Sequence, residues 1–194
     1  VPTSLYYDLL KHIPVKKPQD VANERAANLA NDLKRDEESP FFGKIVVTST
    51  ARVSQLSLNN FVRKIAPLLM EPRGILAVYT ASEQAQILAN YYKGLRNAFP
   101  KEFDKPNSVF FQTLGFGALV NAFPLFLNLS IKNYKKFRVE DVAAAFNEIR
   151  HFDFSSWDRY GSGSAAEIQA GEDLQTELTA AFTTLDSSGS IQLQ

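Results

Sequence analysis

From Pro106 to Ile131 the chain runs for 26 residues without a charged side chain. A stretch that long and that apolar belongs either in membrane hydrocarbon or at the centre of a protein core. Asn107, Gln112, Asn121 and Asn128 are poor company for lipid, and Pro124 removes a backbone donor, so the core is the expected home and no membrane is expected as a partner. Gly115, Gly117 and Ala118 suit close contact with a neighbouring element, and Pro124 predicts a bend or break. Gly115 and Gly117 lack the preceding strand and the full glycine fingerprint of a dinucleotide site, so they read as packing and no cofactor is expected.

The flanking sequence is mostly helical in period. Leu5, Leu9 and Leu10 mark a short helix that ends before Pro14, and Pro18 and Asp20 open a second whose face runs through Ala22, Ala26, Leu29 and Leu33. Leu58, Phe61, Val62, Ile65, Leu68 and Leu69 define a third, which places Arg63 and Lys64 outward. Thr80 and Glu83 have the spacing of a capping box for a helix directed towards Phe99. Two more helices are predicted, one from Val139 and one over 164–185. Lys44–Thr50 is the best strand by its β-branched content, and Gly74–Tyr79 is a second candidate. The predicted fold class is a mainly helical α/β or α+β unit with few strands around a central buried helix. Residues 1–185 form the domain, alone or as part of a larger one, and 186–194 form a flexible tail. The chain opens on Val rather than Met, and the expectation is that it is a piece of a longer protein.

Net charge is zero only by cancellation. Residues 1–138 hold nineteen Lys/Arg against eleven Asp/Glu, whereas residues 139–194 hold two against ten. A basic body favours phosphates, and an acidic end shields that surface or attracts a basic partner. The densest basic segment places Lys132, Lys135, Lys136 and Arg138 around Tyr134 and Phe137. Such interleaving grips a nucleic-acid backbone and stacks a base, or else the aromatics anchor a loop while the cations remain in water. Arg25 interrupts an apolar helix face and is a phosphate candidate beside the plainer reading that it reaches to the edge. Arg159, Gly161, Ser162 and Gly163 precede a helix, where free N–H groups hold anions; the alternative is a glycine-permitted turn pinned by Trp157 and Tyr160.

Catalytic signals are sparse. The absence of Cys removes disulfides, thiolate nucleophiles and cysteine-built metal sites, and His12 and His151 belong to no local metal pattern, so no metal is expected. Arg25, Asp36–Glu38 and Asp158–Arg159 near His151 leave a nuclease-like or nucleotide-processing accessory enzyme open, and catalytic residues stay unassigned. No basic-then-apolar leader opens the chain, so the expected location is cytoplasmic.

Several short segments occur in a telling order: VPTSLYYDLL at 1–10, ERA at 24–26 with Leu29 and Ala30, SPFFGKI at 39–45, the Tyr91-Tyr92 pair leading to Phe99-Pro100, TLGFGAL at 113–119, and Trp157 through Gly163. In this order the chain resembles the later part of the DGQHR-domain family, a bacterial group that includes regulators associated with DNA phosphorothioation. The namesake Asp-Gly-Gln-His-Arg sequence does not occur here, so the family's DNA-related N-terminal function falls on no residue of this chain. The resemblance implies a regulatory or accessory module of a bacterial DNA-modification or defence system, with DNA, a protein partner or a second copy of the chain as the partners to consider. A helical scaffold or oligomerisation module without nucleic-acid contact is the principal alternative.

Overall fold

The computed structural model describes residues 3–12, 16–47 and 55–188. Among the described residues eight α-helices dominate: α1 Thr3–Leu10, α2 Pro18–Arg35, α3 Leu58–Leu69, α4 Ala81–Ala98, α5 Pro100–Phe103, α6 Thr113–Tyr134, α7 Val139–Asn147 and α8 Ser164–Ser188. Two two-residue strands, β1 Ile45–Val46 and β2 Leu56–Ser57, pair in parallel with Ile45 opposite Leu56. The protein is therefore predominantly helical with few strands. The closest helix partnerships are α6 with α8, α4 with α7, and α2 with α3.

The uncharged segment becomes α6, which meets the length and hydropathy of a membrane span but is mostly buried within the fold. Its burial is aromatic in character. Tyr91 on α4 has ring-centroid distances of 5.0 Å to Phe123 and 5.1 Å to Phe126, and Phe126 stacks on Phe146 of α7 at 4.3 Å. Pro124 neither breaks nor ends α6. Side chains supply donors to carbonyls around it: the Tyr91 hydroxyl donates to Leu119 O (3.2 Å) and Gln175 Nε2 of α8 donates to Asn121 O (3.0 Å). Packing on both sides thus holds a helix that proline alone would interrupt.

The strand expected over 74–79 does not form; those residues make successive turns. Their backbone groups are satisfied locally, with Leu76 N–H bonded to Leu68 O (2.8 Å) and the carbonyls of Leu76 and Tyr79 both accepting from the buried Gln84 amide (2.9 Å each). With those groups already paired no partner strand is required, and Val78 is left 86% exposed. The strand that does join Ile45–Val46 is Leu56–Ser57, at the entrance to α3. Residues 48–50 of the predicted Lys44–Thr50 strand lie outside the described residues, as does the expected helix stop at Pro14. α8 continues to Ser188, three residues into the segment expected to be a tail, while 189–194 lie outside the described residues.

The Thr80 capping box is present. Thr80 Oγ1 accepts from Glu83 N (3.4 Å), and Glu83 Oε2 accepts from Thr80 N (2.8 Å) and Thr80 Oγ1 (2.8 Å). These bonds to the charged form hold the Glu83 carboxyl below its ordinary value.

Candidate functional site

The nine candidate binding residues fall into three separate places. Arg25 lies on α2 in a shallow hollow with Lys16, Val21, Leu69 and Pro72, where Nη1 pairs with Glu71 Oε1 at 3.1 Å. Its acid partner is exposed, so the edge-reaching reading describes this arginine.

Arg159 lies at the other end of the chain, in a cleft of about 320 Å³ between the 3-10 segment Phe154–Tyr160 and α8. One Asp173 oxygen, Oδ2, accepts from both Arg159 Nη2 and the Tyr160 hydroxyl at 2.7 Å. His151 Nε2 stands 3.2 Å from Glu177 Oε2 in the same cleft, and Asp153 completes a lining with three carboxylates against one arginine. That balance disfavours phosphate. Gly161 and Gly163 adopt positive φ (+74° and +99°), which explains glycine at both positions, and with exposed Ser162 they form the turn into α8. Trp157 is fully buried and Tyr160 is bonded to α8, so the aromatic-pinned turn is what this segment builds.

Lys132, Lys135, Lys136 and Arg138 share one corner, the turn from α6 to α7. Lys135 ends α6 in the left-handed conformation (φ +61°), with its N–H bonded to Ile131 O (3.0 Å) and its Nζ to Lys132 O (2.8 Å). Tyr134 points inward, its ring centroid 6.2 Å from that of Phe182, and Phe137 packs 6.2 Å from Phe126. Burial first, then the charges of Glu148 and Asp141, raise the Tyr134 hydroxyl above its ordinary value. Arg138 opens α7 and donates through Nε to Asp141 Oδ2 (2.9 Å) and through Nη2 to Asp141 Oδ1 (3.2 Å), while its backbone N–H reaches Oδ2 (3.1 Å). Those bonds, with a longer pull from Lys136, hold Asp141 below the usual carboxylate range. Three exposed lysines and the Asp141-bound Arg138 therefore share the turn.

This turn closes one end of a groove of about 250 Å³ between α4 and the end of α6, since Ile131 at its start and Phe137 at its end both line that groove. Tyr79, Gln86, Ile87 and Leu127 form the rest of the wall, with Asn90 at its base and Glu83 at the far rim. Asn90 Nδ2 donates to Phe137 O and Asn90 Oδ1 accepts from Gln86 Nε2, both at 2.8 Å.

Lys64, placed outward by its sequence position, instead turns into the fold and pairs with Glu167 of α8, which is 1% exposed. Glu167 packs against Gly117 of α6, where a Cβ would meet Glu167 Oε2 at 2.5 Å. Glu167 Oε2 faces the Lys64 ammonium, whereas Oε1 has no hydrogen-bond partner among the described residues. Burial, with Arg63 next to it, pushes the Lys64 ammonium below its ordinary value even beside this carboxylate. Asn60 Nδ2 extends the polar junction to Thr113 Oγ1 (3.3 Å) at the start of α6. The available sequence signal was in α8: Glu167 falls on the stripe of Ala170, Leu174 and Leu178, a position where a lone acid needs a partner.

Among the described residues no group of three or more His, Asp or Glu is arranged to hold a metal ion. No family model, curated protein or solved structure matches this chain.

Proposed function

We propose that this chain is a regulatory or accessory module of a bacterial DNA-modification or defence system, working in the cytoplasm by binding, and that it contacts nucleic acid through the Lys132–Lys136 turn. The observation that carries this reading is a cluster of cations: Lys132, Lys135 and Lys136 are exposed together on a turn whose backbone is fixed at Lys135 and Phe137, while Arg25 and Arg159 lie in other parts of the fold. A fixed cluster of ammonium groups attracts phosphates and releases their counterions. The resemblance of the order of segments to the later part of the DGQHR-domain family supports the DNA-modification setting. The nuclease-like alternative is less favoured, because Arg25 and the His151–Arg159 cleft engage different elements and partners. Fluorescence anisotropy of labelled DNA tests the reading: affinity falls steeply between about 50 and 200 mM salt, and replacing all three lysines by Gln weakens binding and flattens that slope. A folded protein that binds no DNA at low salt would overturn it.

A second reading, the helical scaffold, is favoured by α1. Its outer face shows Leu5 at 48%, Tyr6 at 43% and Leu9 at 51% exposure, an apolar run on one short helix. Sedimentation velocity of the chain beside its Leu5→Ser/Leu9→Ser variant tests it, self-association lost in the variant being the supporting result.

A further inference from the structure

We infer that the groove beside the lysine turn is a pocket for an unstacked nucleobase of a single strand, with Lys132, Lys135 and Lys136 taking the adjoining phosphates. This rests on the nucleic-acid reading above and names its substrate class. Three observations converge on one place. The groove walls are apolar and partly aromatic, with Tyr79 and Phe137 among Ile87, Leu127 and Ile131, which is the surface that the face of a base prefers to water. Its polar edge consists of amides. Asn90 is saturated on its inner side by Phe137 O and Gln86 Nε2, an arrangement that fixes Gln86 at the rim. Gln86 Oε1 has no partner among the described residues, and an exposed acceptor beside a remaining N–H matches the mixed donor and acceptor edge of a base. The cations stand at one end only, because the turn that carries them is bounded by two lining residues, Ile131 and Phe137.

The geometry also selects against the duplex. A paired base presents only its edge, whereas the apolar and aromatic lining of this groove suits the face of a base, which requires the base to leave its stack. The one acid at the rim, Glu83, has Oε2 committed to Thr80 N and Oγ1 at the start of α4. A carboxylate-bearing peptide would satisfy the lysines but leave the amides and aromatic walls without a matched group, so the groove chemistry favours the base.

The test compares a labelled single-stranded oligonucleotide, the same sequence as a blunt duplex, and poly-glutamate, by anisotropy on the full chain. Two groove variants at exposed positions, Ile131→Asn and Gln86→Leu, preserve net charge, and unchanged circular dichroism confirms that they fold. The expected result is tighter binding of the single strand than of the duplex, and a loss of about tenfold for the single strand in Ile131→Asn. Duplex affinity and the salt slope should stay unchanged in both variants, because the lysines remain. Groove variants that leave single-strand affinity intact, while the triple lysine-to-Gln variant weakens it, would overturn the base pocket and preserve the nucleic-acid reading. Absence of binding to either DNA form would overturn both, and poly-glutamate binding sensitive to Ile131→Asn would then mark the groove as a peptide site.

Discussion

At the junction of α3, α6 and α8 one ammonium and one carboxylate are enclosed together, whereas at the end of α6 three ammonium groups stand in water within five residues of chain. The enclosed pair lies where three helices approach closely enough that Gly117 admits no side chain. The exposed group lies where the backbone leaves its helix and the aromatic rings of Tyr134 and Phe137 turn inward. Desolvation makes either member of the first pair costly to leave alone and unavailable to a ligand, while hydration leaves the second cluster nearly neutral for stability. Charge in this chain thus divides by burial, between groups that fix helices and groups left at the surface.

Separating the enclosed pair gives the largest expected effect. Lys64→Met leaves a buried carboxylate without its counter-charge, and Glu167→Gln does the same to the ammonium; each should cost about 3–5 kcal/mol in chemical denaturation. The double variant Lys64→Met/Glu167→Met should cost clearly less than the sum of the singles, because no orphaned charge remains. By contrast, converting Lys132, Lys135 and Lys136 together to Gln should change stability by no more than about 0.5 kcal/mol. If the triple variant proved as destabilising as either single, the division by burial would fail.

Gly117→Ala probes the same junction by volume. The added Cβ would crowd the Glu167 carboxylate between two packed helices, so a cost of roughly 1–3 kcal/mol is expected. If crowding of the acid is the cause, Gly117→Ala combined with Glu167→Ala should recover much of the penalty that the glycine change adds; strict additivity would locate the strain elsewhere.

Lys135→Gly should act in the opposite direction at the turn. Lys135 is the only non-glycine among the described residues with positive φ, and glycine takes that conformation without a side-chain penalty. A gain of about 0.5–1 kcal/mol is expected in urea unfolding, together with weaker DNA binding from the lost ammonium. A loss of stability would mean that the bond from Lys135 Nζ to Lys132 O matters more than the backbone strain.

Much of this architecture was legible where a residue's role depends on near neighbours in sequence. Thr80 and Glu83 announced the start of α4, and the uncharged run announced a buried α6 together with its close approach at Gly115 and Gly117. The misreadings share a cause, which is that a distant partner decided the outcome. Gln84 bonds to carbonyls of the 74–79 segment expected as a second strand, and Tyr91 and Gln175 support the helix around Pro124. Lys64 turns inward because of an acid more than a hundred residues later. The candidate site was legible in the same measure. The lysines and the inward aromatics of 132–137 could be read locally, but the groove needed α4 to supply Gln86 and Asn90 and the turn before it to supply Tyr79.

The smallest expected effect sharpens the comparison at its exposed side, through Asp141 at the start of α7. The Arg138 side chain, then its backbone N–H and charge, with Lys136 beyond, stabilise the ionised carboxyl against the opposing effect of desolvation and hold its folded-state value below the unfolded one. With a depressed folded value, the native state binds fewer protons than the unfolded chain as acid is added. Its contribution is therefore complete above the unfolded carboxyl value of about 3.9 and disappears as pH falls through the lower folded value. Asp141→Asn removes the titration but retains an amide oxygen able to accept from Arg138 N. Melting temperatures measured from pH 7 to about pH 2 should then run nearly parallel for the two proteins at neutral pH and converge below about pH 4. Curves parallel over the whole range would mean that water screens this exposed pair completely, so that the turn contributes only its lysines. Convergence would show that even this corner holds one acid firmly in its ionised form, so that on the proposed nucleic-acid reading Arg138 is already committed and phosphate contact falls to the lysines beside it.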